Sequence, residues 1–191
     1  MVMRIKSVTV DEYLEIIALP ENENRWLQLV AGVIEEMPPS SSLNSMIAVA
    51  ISSHLYAFAS EKNLGYVTGA DGGFVLGKHE VLIPDVGYIS RERSSGIPTK
   101  IFAVAPDLAV EVISPGESSR DVLDKARRYL LAGTKMVWAF YPEAQVADVI
   151  RLSAEKELII QTLHITDTLD GGDVLPDFSL PLTKVFPQTE K

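Results

Sequence analysis

The sequence predicts one α/β domain over residues 1–191, and three features of the chain support that prediction. Residues 40–61 repeat apolar side chains with the period of a helix, about 3.6 residues. Short apolar segments with strand character occur before and after this helix. Between residues 107 and 142 a strand, a helix and another strand follow one another, an order that usually makes the two strands parallel neighbours.

The N-terminal part of the chain is predicted to contain two helices with a strand region between them. Thr9 and Glu12 have the spacing of a capping box, which starts a helix that ends near residue 18. Residues 26–37 (WLQLVAGVIEEM) predict a strand pair or one long bent strand that breaks at Gly32. Two prolines end this segment, and the long helix of residues 40–61 follows. Its apolar stripe consists of Leu43, Ile47, Ala50, Ile51, His54, Leu55 and Phe58.

The rest of the chain is predicted to consist mostly of strands. Two of them flank an Asp71-Gly72 turn, and a loop rich in Ser, Arg and Pro covers residues 91–100. The strand at 107–113 leads into a helix at 119–132, which Gly133 ends. The other predicted strands are residues 64–68, 73–76, 81–90, 135–142, 146–152 and 158–162.

The composition limits the classes of protein to which the chain can belong. Hydrophobic residues make up 47% of it and charged residues 23%, as in folded soluble proteins. There are no cysteines, which excludes disulfides, thiolate chemistry and Cys-ligated zinc. No apolar run approaches the roughly 18–20 residues of a membrane span, and the N-terminus lacks the apolar core of a signal peptide. We therefore expect a cytoplasmic protein without a membrane partner.

The charge of the chain is unevenly distributed. The net charge is −9, which opposes non-specific binding to DNA. Residues 91–135 contain eight basic and six acidic residues, so this segment carries +2 and the remainder −11. The local excess of cations permits contact with phosphates, although a solvated helix face and a basic loop explain each cation at least as well.

Glu111 is the first candidate site residue, because it interrupts the apolar strand in PDLAVEVISPG, residues 106–116. Side chains alternate across a strand, so Glu111 faces away from the apolar side formed by Leu108, Val110 and Val112. An unpaired carboxylate there would be costly and needs a cation, a group of hydrogen bonds or water. The alternative is a residue near the strand end that is solvated or paired with an arginine.

Asp85 is a second carboxylate within an apolar strand. Pro84 before it indicates an edge or irregular strand that can aim the side chain into a cleft. Two carboxylates that face the same way on adjacent strands suit Mg²⁺ or Mn²⁺. Such an ion polarises a phosphoryl oxygen and lowers the pKa of a bound water, which is the chemistry of phosphodiester cleavage.

Lys125 is the third candidate, in the helix that follows the Glu111 strand. Val122 and Tyr129 flank it on the inward stripe of that helix, so its ammonium group can reach back toward the carboxylates. There it would orient the attacking water and offset charge on a phosphate. The alternative is an exposed lysine paired with Asp121.

Other chemistries lack their motifs. The chain has no Gly-rich phosphate loop and no G-x-S-x-G elbow. His54, His79 and His164 are scattered and lack the spacing of a metal pair, and His54 fits a satisfied position on the long helix better than a ligand.

The run "PDVGYI … APDLAVEVISPGESSRDVLDKARRYLLAGTKMVWAFYPE" resembles the Uma2 family, also called DUF820. These are restriction-endonuclease-like proteins of the PD-(D/E)XK nuclease superfamily. The segments "WLQLVAGVIEEMPPSS" and "LPDFSLPL" extend the resemblance over most of the chain. It implies an α/β (α+β) restriction-endonuclease-like core, in which a mixed central β-sheet is flanked by helices.

The resemblance also implies a metal-dependent DNA hydrolase with Mg²⁺ or Mn²⁺ as its cofactor. Asp85 and Glu111 match the two acidic motif positions, which makes them the metal ligands and part of the catalytic site. The superfamily lysine stands two residues after the second acid, where this chain has Ile113, and Lys125 in the next helix matches the position that takes its place. Tyr129, four residues further on, is a peripheral candidate.

Two positions depart from the family pattern. Relatives carry an acidic residue in the early strand where this chain has Gln28, and an amide is a poorer ligand for a divalent cation than a carboxylate. The histidine of a "PP-x-x-x-H" pattern is absent, with Asn44 nearest its place. Gln28 and Asn44 are therefore peripheral candidates. Glu35 and Glu36 are either compensating acids or exposed glutamates.

Three functional hypotheses follow. The first is a Mg²⁺-dependent endodeoxyribonuclease that hydrolyses DNA phosphodiester bonds and acts as a homodimer, with the basic segments meeting phosphates. The second is a catalytically degenerate nuclease-fold protein that serves as a binding or assembly module. The third is a nuclease-fold subunit that acts with a partner.

Overall fold

The structure is a computed structural model that describes residues 7–94 and 96–187. Within these residues the helices are α1 (Val10–Ile17), α2 (Ser42–Glu61) and α3 (Ser119–Leu131). The strands of the first half are β1 (Leu27–Val30), β2 (Val33–Glu36), β3 (Gly65–Thr68), β4 (Phe74–Gly77), β5 (Glu80–Leu82) and β6 (Val86–Ser90). Those of the second half are β7 (Leu108–Val112), β8 (Met136–Tyr141), β9 (Val146–Leu152), β10 (Leu158–His164), β11 (Thr168–Asp170) and β12 (Ser179–Pro181).

The central sheet has the strand order β10-β9-β8-β7-β6-β3 and is mixed. β7 and β8 are parallel, as the strand-helix-strand order predicts, and the other neighbours are antiparallel. Apolar residues of α2 pack with Val110 and Trp138 on one face, and those of α3 pack with Ala109 and Val137 on the other. The prediction of an α/β fold with a mixed central sheet between helices is therefore confirmed.

A second sheet, with the order β2-β1-β5-β4, supports the N-terminal helix. Tyr13 of α1 packs on Leu27, Leu29 and Val81, and its hydroxyl donates to the backbone oxygen of Leu27 at 2.6 Å. β1 and β2 form a hairpin, which settles the choice between a strand pair and one bent strand. Its turn has positive φ at Ala31 (48°) and at Gly32 (83°), which suits a tight hairpin connection.

The strands of residues 64–90 belong to two different sheets, which the sequence did not predict. The strands on either side of Asp71-Gly72 do not pair with each other, because β3 lies in the central sheet and β4 in the second sheet. The predicted strand 81–90 is divided between β5 and β6, which also belong to different sheets. Pro84 lies in the break, where the missing N–H prevents a continuous ladder. Asp85 is consequently placed at the junction between the two sheets.

The helix boundaries follow from local hydrogen bonds. The capping box of Thr9 and Glu12 starts α1, and Ser41 caps α2 by accepting the backbone N–H of Asn44. Ser118 caps α3, and Gly133 follows its C-terminus with φ 104°. Within the part of the chain that the structure describes, no helix is long and apolar enough to span a membrane.

Candidate active-site cavity

Asp85 and Glu111 lie beside each other where β6 begins and β7 ends. The antiparallel register pairs Val86 with Val110, so the preceding residue of one strand lies opposite the following residue of the other. Asp85 Oδ2 accepts the backbone N–H of Val112 at 2.6 Å. Because this bond ties Asp85 to the strand that carries Glu111, the two carboxylates occupy one site.

Glu111 is buried, with 8% of its surface exposed, on the face of β7 that packs against α3. Two side chains from α3 contact its carboxylate. Lys125 Nζ donates to Oε2 at 2.7 Å, and the Tyr129 hydroxyl donates to Oε1 at 2.9 Å. The sequence predicts that a carboxylate here needs a cation, a group of hydrogen bonds or water, and Glu111 has both a cation and a hydrogen bond from a hydroxyl. The cation is a lysine from the next helix, not an arginine.

Lys125 therefore forms its ion pair with Glu111, not with Asp121. Asp121 instead accepts a hydrogen bond from the Ser118 hydroxyl at 2.7 Å, within the cap of α3. Val122 and Ala126, on either side of Lys125, are buried against the central sheet. The inward stripe of α3 thus directs the lysine stem toward the carboxylates.

Burial dominates the electrostatics of the two acids. Removal from water raises the pKa of Glu111 to about 7, although the Lys125 ammonium acts in the opposite direction, and the neighbouring Asp85 raises it further. Burial also raises the pKa of Asp85, against the hydrogen bond from Val112. Desolvation lowers the pKa of Lys125, but Glu111 and Asp85 outweigh it and hold that pKa above its ordinary value. Near neutral pH Glu111 can accordingly accept or release a proton.

The raised pKa of Glu111 predicts a pH-dependent stability. The folded protein binds the Glu111 proton more tightly than the unfolded chain, whose glutamates titrate near 4.5. This group therefore stabilises the fold at low pH, and its contribution is lost as pH rises through about 7. When the pH falls from about 8 to about 5.5, we expect the free energy of unfolding to increase by about 2 kcal/mol.

Urea unfolding in a chelating buffer at the two pH values measures this gain. Glu111→Gln removes the titrating group, so its free energy of unfolding should rise by about 2 kcal/mol less than that of the wild type. Equal changes in the two proteins would show that Glu111 titrates as an ordinary glutamate.

The two carboxylates and Lys125 open into a cavity of about 540 Å³. One wall is the end of β7 and the start of α3. The opposite walls come from the β1–β2 hairpin, from α2 and from the loop at 69–71. The remaining lining residues are Trp26, Gln28, Met37, Pro38, Pro39, Ser40, Ser45, Ala48, Val49, Ser52, Gly69, Ala70, Asp71, Ile83, Val112, Ser114 and Glu117.

Acidic side chains outnumber basic ones on the walls of this cavity. Asp71, Asp85, Glu111 and Glu117 carry carboxylates, and Lys125 carries the only ammonium group among the described residues that line it. A phosphate diester entering such a cavity would meet net repulsion. A divalent cation held by the acids would reverse the sign of that interaction.

The ligand chemistry of the cavity suits Mg²⁺ or Mn²⁺. In the described residues no group of three or more His, Cys, Asp or Glu side chains forms a metal-binding cluster. Mg²⁺ is commonly held by one or two carboxylates and completes its shell with water and substrate phosphate, so Asp85 and Glu111 provide a sufficient set. Each carboxylate oxygen of Glu111 retains a lone pair beyond the one that its hydrogen bond uses. The residues present therefore fit the ion that the resemblance implies.

The peripheral candidates have separate positions. Gln28 lines the cavity, its Nε2 lies 3.4 Å from Glu35 Oε2, and its Oε1 is buried without a partner among the described residues. Asn44 does not line the cavity. Its Nδ2 donates to the Val112 oxygen at 3.1 Å and to the Ser114 hydroxyl at 3.0 Å, which joins α2 to the end of β7. The Asn44 side chain thus holds two structural elements together, and it is not placed to bind an ion in the cavity.

The other titratable residues considered from the sequence lie outside the cavity. Glu35 and Glu36 are exposed, and Glu36 is paired with Arg25 at 2.6 Å. His54 Nδ1 lies 2.8 Å from the backbone oxygen of Ala50, as expected for a satisfied helix residue. No residue of the described part of 91–100 lines the cavity.

The basic segment is largely neutralised within the protein. Arg93 and Lys135 both contact the buried Asp107, at 3.3 and 3.1 Å. Arg128 is paired with Glu80 at 2.6 Å. The segment therefore offers phosphates fewer free cations than the sequence suggested, because only the unpaired ones remain.

Glu117 and Trp26 are two of the lining residues that were not singled out from the sequence. Glu117 Oε2 accepts the backbone N–H of Ser114 at 2.6 Å and closes the turn between β7 and α3. The Ser-Pro-Gly-Glu spacing is a local signal for that turn. Trp26 begins the β1 region and lines the far wall, and nothing in its local sequence distinguishes it from a core tryptophan.

Comparisons with known proteins agree with this fold. Residues 10–183 match the model of the Uma2 family, described as "Putative restriction endonuclease". The chain is similar, with a TM-score of 0.78, to the crystal structure of a protein from Anabaena variabilis ATCC 29413. That protein is described as a "putative nuclease belonging to DUF820". The two chains are 22% identical, and the similarity covers 94% of this chain and 97% of the other. No curated protein matches the chain.

Proposed function

The chain belongs to the Uma2 family of restriction-endonuclease-like proteins, and from that premise we propose that it is a metal-dependent endonuclease that hydrolyses DNA phosphodiester bonds. One observation carries the proposal: Asp85, Glu111 and Lys125, which are far apart in sequence, line the same cavity. Their chemistry is the combination that phosphodiester hydrolysis requires, namely two hard oxygen ligands and a cation.

We assign the metal ligands to Asp85 and Glu111. A bound Mg²⁺ or Mn²⁺ would supply charge neutralisation for the phosphate and acidify a water molecule. The chain's own residues prepare this site. The Val112 N–H orients the Asp85 carboxylate, and the Tyr129 hydroxyl orients that of Glu111. Gln28 Oε1, which is buried and unpaired, is a neutral oxygen at the periphery of the same cavity.

Lys125 has the role of positioning water and stabilising phosphate charge. Its side chain lines the cavity and is 29% exposed while the ammonium group remains bonded to Glu111, so that group can donate to a second acceptor. A lysine has three donors, and the bond to Glu111 uses one of them. The group stays protonated because the neighbouring acids hold its pKa above the ordinary value.

DNA is the proposed substrate, and a homodimer is the proposed assembly. One site cuts one strand, so cleavage of both strands of a duplex requires a second site, which a second copy would provide. The net charge of −9 predicts weak affinity for DNA in the absence of metal.

A cleavage assay tests the proposal. Supercoiled plasmid and labelled oligonucleotides incubated with the protein should be nicked in Mg²⁺ or Mn²⁺ and remain intact in a chelator. Absence of cleavage in either metal, on single-stranded and on duplex DNA, would reject the nuclease proposal.

A non-catalytic binding module is the second candidate, and Gln28 is the observation that favours it. The amide occupies a wall of the cavity where a carboxylate would strengthen metal binding. The two candidates differ in whether the cavity still binds a divalent ion, because a degenerate site has lost part of its ligand set.

Manganese should stabilise the protein if the site is intact. An ion that binds only the folded state adds about 2.7 kcal/mol at about 100 times its Kd, which raises Tm by several degrees. Differential scanning fluorimetry with millimolar Mn²⁺ measures the shift, and Asp85→Asn should abolish it. An exposed control, Asp124→Asn on α3, should keep it. An unchanged Tm in the wild type would favour the binding module.

A further inference from the structure

Trp26 has an unusual exposure for its residue type. It is 53% exposed, whereas the other tryptophan of the chain, Trp138, is fully buried in the core. No ring stacking or cation–π contact involves Trp26 within residues 7–94 and 96–187. Tryptophan is enriched at interfaces, so an exposed indole that also lines a cavity is a candidate binding group.

The hairpin holds Trp26 in a defined place. Leu27 and Leu29 of β1 point into the core beneath α1, so the alternation of the strand puts Trp26 and Gln28 on the opposite face. The Met37 N–H donates to the Trp26 backbone oxygen at 2.8 Å, which fixes the backbone at this position. The ring therefore projects from a backbone that the hairpin already holds, so binding has to immobilise the side chain but not the backbone.

Trp26 and the two carboxylates line the same cavity. The wall around Trp26 is apolar and uncharged, with Met37, Pro38 and Pro39 beside it. Asp85, Glu111 and Glu117 line other parts of the same cavity. A ligand that reaches both Trp26 and the acids must combine a flat apolar group with an anion that a divalent cation held by the acids would attract. A nucleotide unit of a nucleic acid strand, with its base and its phosphate, has this combination.

We propose that Trp26 is a stacking platform for an unpaired nucleobase of single-stranded DNA bound in the cavity. This deepens the proposed function and rests on it for the identity of the strand. A base inside a duplex has both faces covered by its neighbours, so only an unpaired base offers a face to the indole. Stacking is neutral, so it provides affinity that the acidic cavity does not provide through charge.

Gln28 gives the proposal a second, independent contact. It stands two residues after Trp26 on the same face of the strand, and its Oε1 is a buried acceptor without a partner among the described residues. A base that stacks on Trp26 brings amino or imino N–H groups to this wall. A buried acceptor without a hydrogen bond costs free energy, and an N–H group of the base would satisfy it.

Equilibrium binding in a chelating buffer tests the platform without cleavage. Oligothymidylate should quench the fluorescence of Trp26, since the buried Trp138 is out of reach. Trp26→Ala should weaken oligothymidylate binding about tenfold, within the roughly 5- to 150-fold range of one stacked base. Trp26→Phe should retain most of the affinity. Tyr56→Ala, an aromatic residue with 63% exposure that does not line this cavity, should bind as the wild type does.

An abasic oligonucleotide of the same length separates stacking from other effects. It should bind the wild type and Trp26→Ala equally, because without the base the ring has nothing to stack on. Unchanged oligothymidylate affinity in Trp26→Ala, or an equal loss on abasic and blunt duplex DNA, would overturn the proposal. A change in oligomeric state without a change in DNA affinity would assign Trp26 to a protein contact and also overturn it.

The two proposals fail in different ways. Metal-dependent cleavage that persists while Trp26→Ala binds oligothymidylate normally rejects the stacking platform and leaves the nuclease. Stacking that depends on Trp26 in a protein that cleaves no DNA in any metal rejects the nuclease and leaves a single-strand binding site.

Discussion

Replacing Glu111 by glutamine should reduce metal-dependent DNA cleavage by about 10²- to 10³-fold. The carboxylate lies between Lys125 and Tyr129 and beside Asp85, so it is both a proposed metal ligand and the centre of the hydrogen-bonded site. Loss of a metal-held charge in the transition state is worth several kcal/mol, which corresponds to a rate factor of this size. The rate of plasmid nicking at saturating Mn²⁺ measures the effect.

The fold should survive this substitution, so loss of activity can be separated from unfolding. Glutamine keeps the shape of the side chain and an acceptor for the Tyr129 hydroxyl. A matched control is Asp124→Asn, which removes an exposed carboxylate of α3 that does not line the cavity. Cleavage by Glu111→Gln within a factor of a few of the wild-type rate would remove Glu111 from the catalytic site.

Replacing Lys125 by methionine should reduce the rate about 10²-fold while Mn²⁺ binding persists. The lysine is not a metal ligand, and its proposed work lies in positioning water and stabilising phosphate charge. Removal of the ammonium group also takes away the cation that lowers the pKa of Glu111, so that pKa should rise further. Single-turnover cleavage and calorimetric Mn²⁺ titration, both as a function of pH, measure the two properties.

The pH profile distinguishes two roles for the lysine. If Lys125 acted only by keeping Glu111 ionised, a higher pH would restore the rate of Lys125→Met. We expect no such recovery, because the proposed direct contact of Lys125 with the substrate is lost as well. Lys62→Met, which removes an exposed cation at the end of α2 paired with Asp177, serves as the control. A Lys125→Met enzyme with the wild-type rate at high pH would reduce the lysine to an electrostatic support of Glu111.

Much of the site could be predicted from the sequence because two periodicities meet there. The alternation of β7 places Glu111 opposite the side of Leu108 and Val110, and the helical period of α3 turns Lys125 inward with Val122. A carboxylate that interrupts an apolar strand must find partners, and the next helix is the nearest source of a cation. These local rules suffice when the elements are regular and adjacent along the chain.

The sequence was less informative where consecutive strands belong to different sheets. The apolar run 81–90 has the pattern of one strand, and Pro84 signalled irregularity but not that β5 and β6 belong to different sheets. Pairing of β3 with β6 and of β4 with β5 depends on long-range packing that a turn signal at Asp71-Gly72 does not encode. The cavity wall that carries Trp26 and Gln28 results from this arrangement, so its exposure was not predictable.

The ion pairs of the folded protein also change how the charge of segment 91–135 is interpreted. The excess of cations in 91–135 suggested contacts with phosphates, but Asp107 is buried and binds both Arg93 and Lys135. Counting charges along a segment does not reveal which of them are already paired. The distribution around the cavity, where acids outnumber cations, is the more informative quantity for its function.

A crystal structure of the protein soaked in Mn²⁺, with anomalous diffraction, tests most directly whether one divalent ion joins the acids of the two strands. We predict one strong anomalous peak in contact with the carboxylates of both Asp85 and Glu111, and its loss in Asp85→Asn. A peak elsewhere on the molecule, or a cavity without Mn²⁺ at millimolar concentration and neutral to alkaline pH, would contradict the proposed metal site.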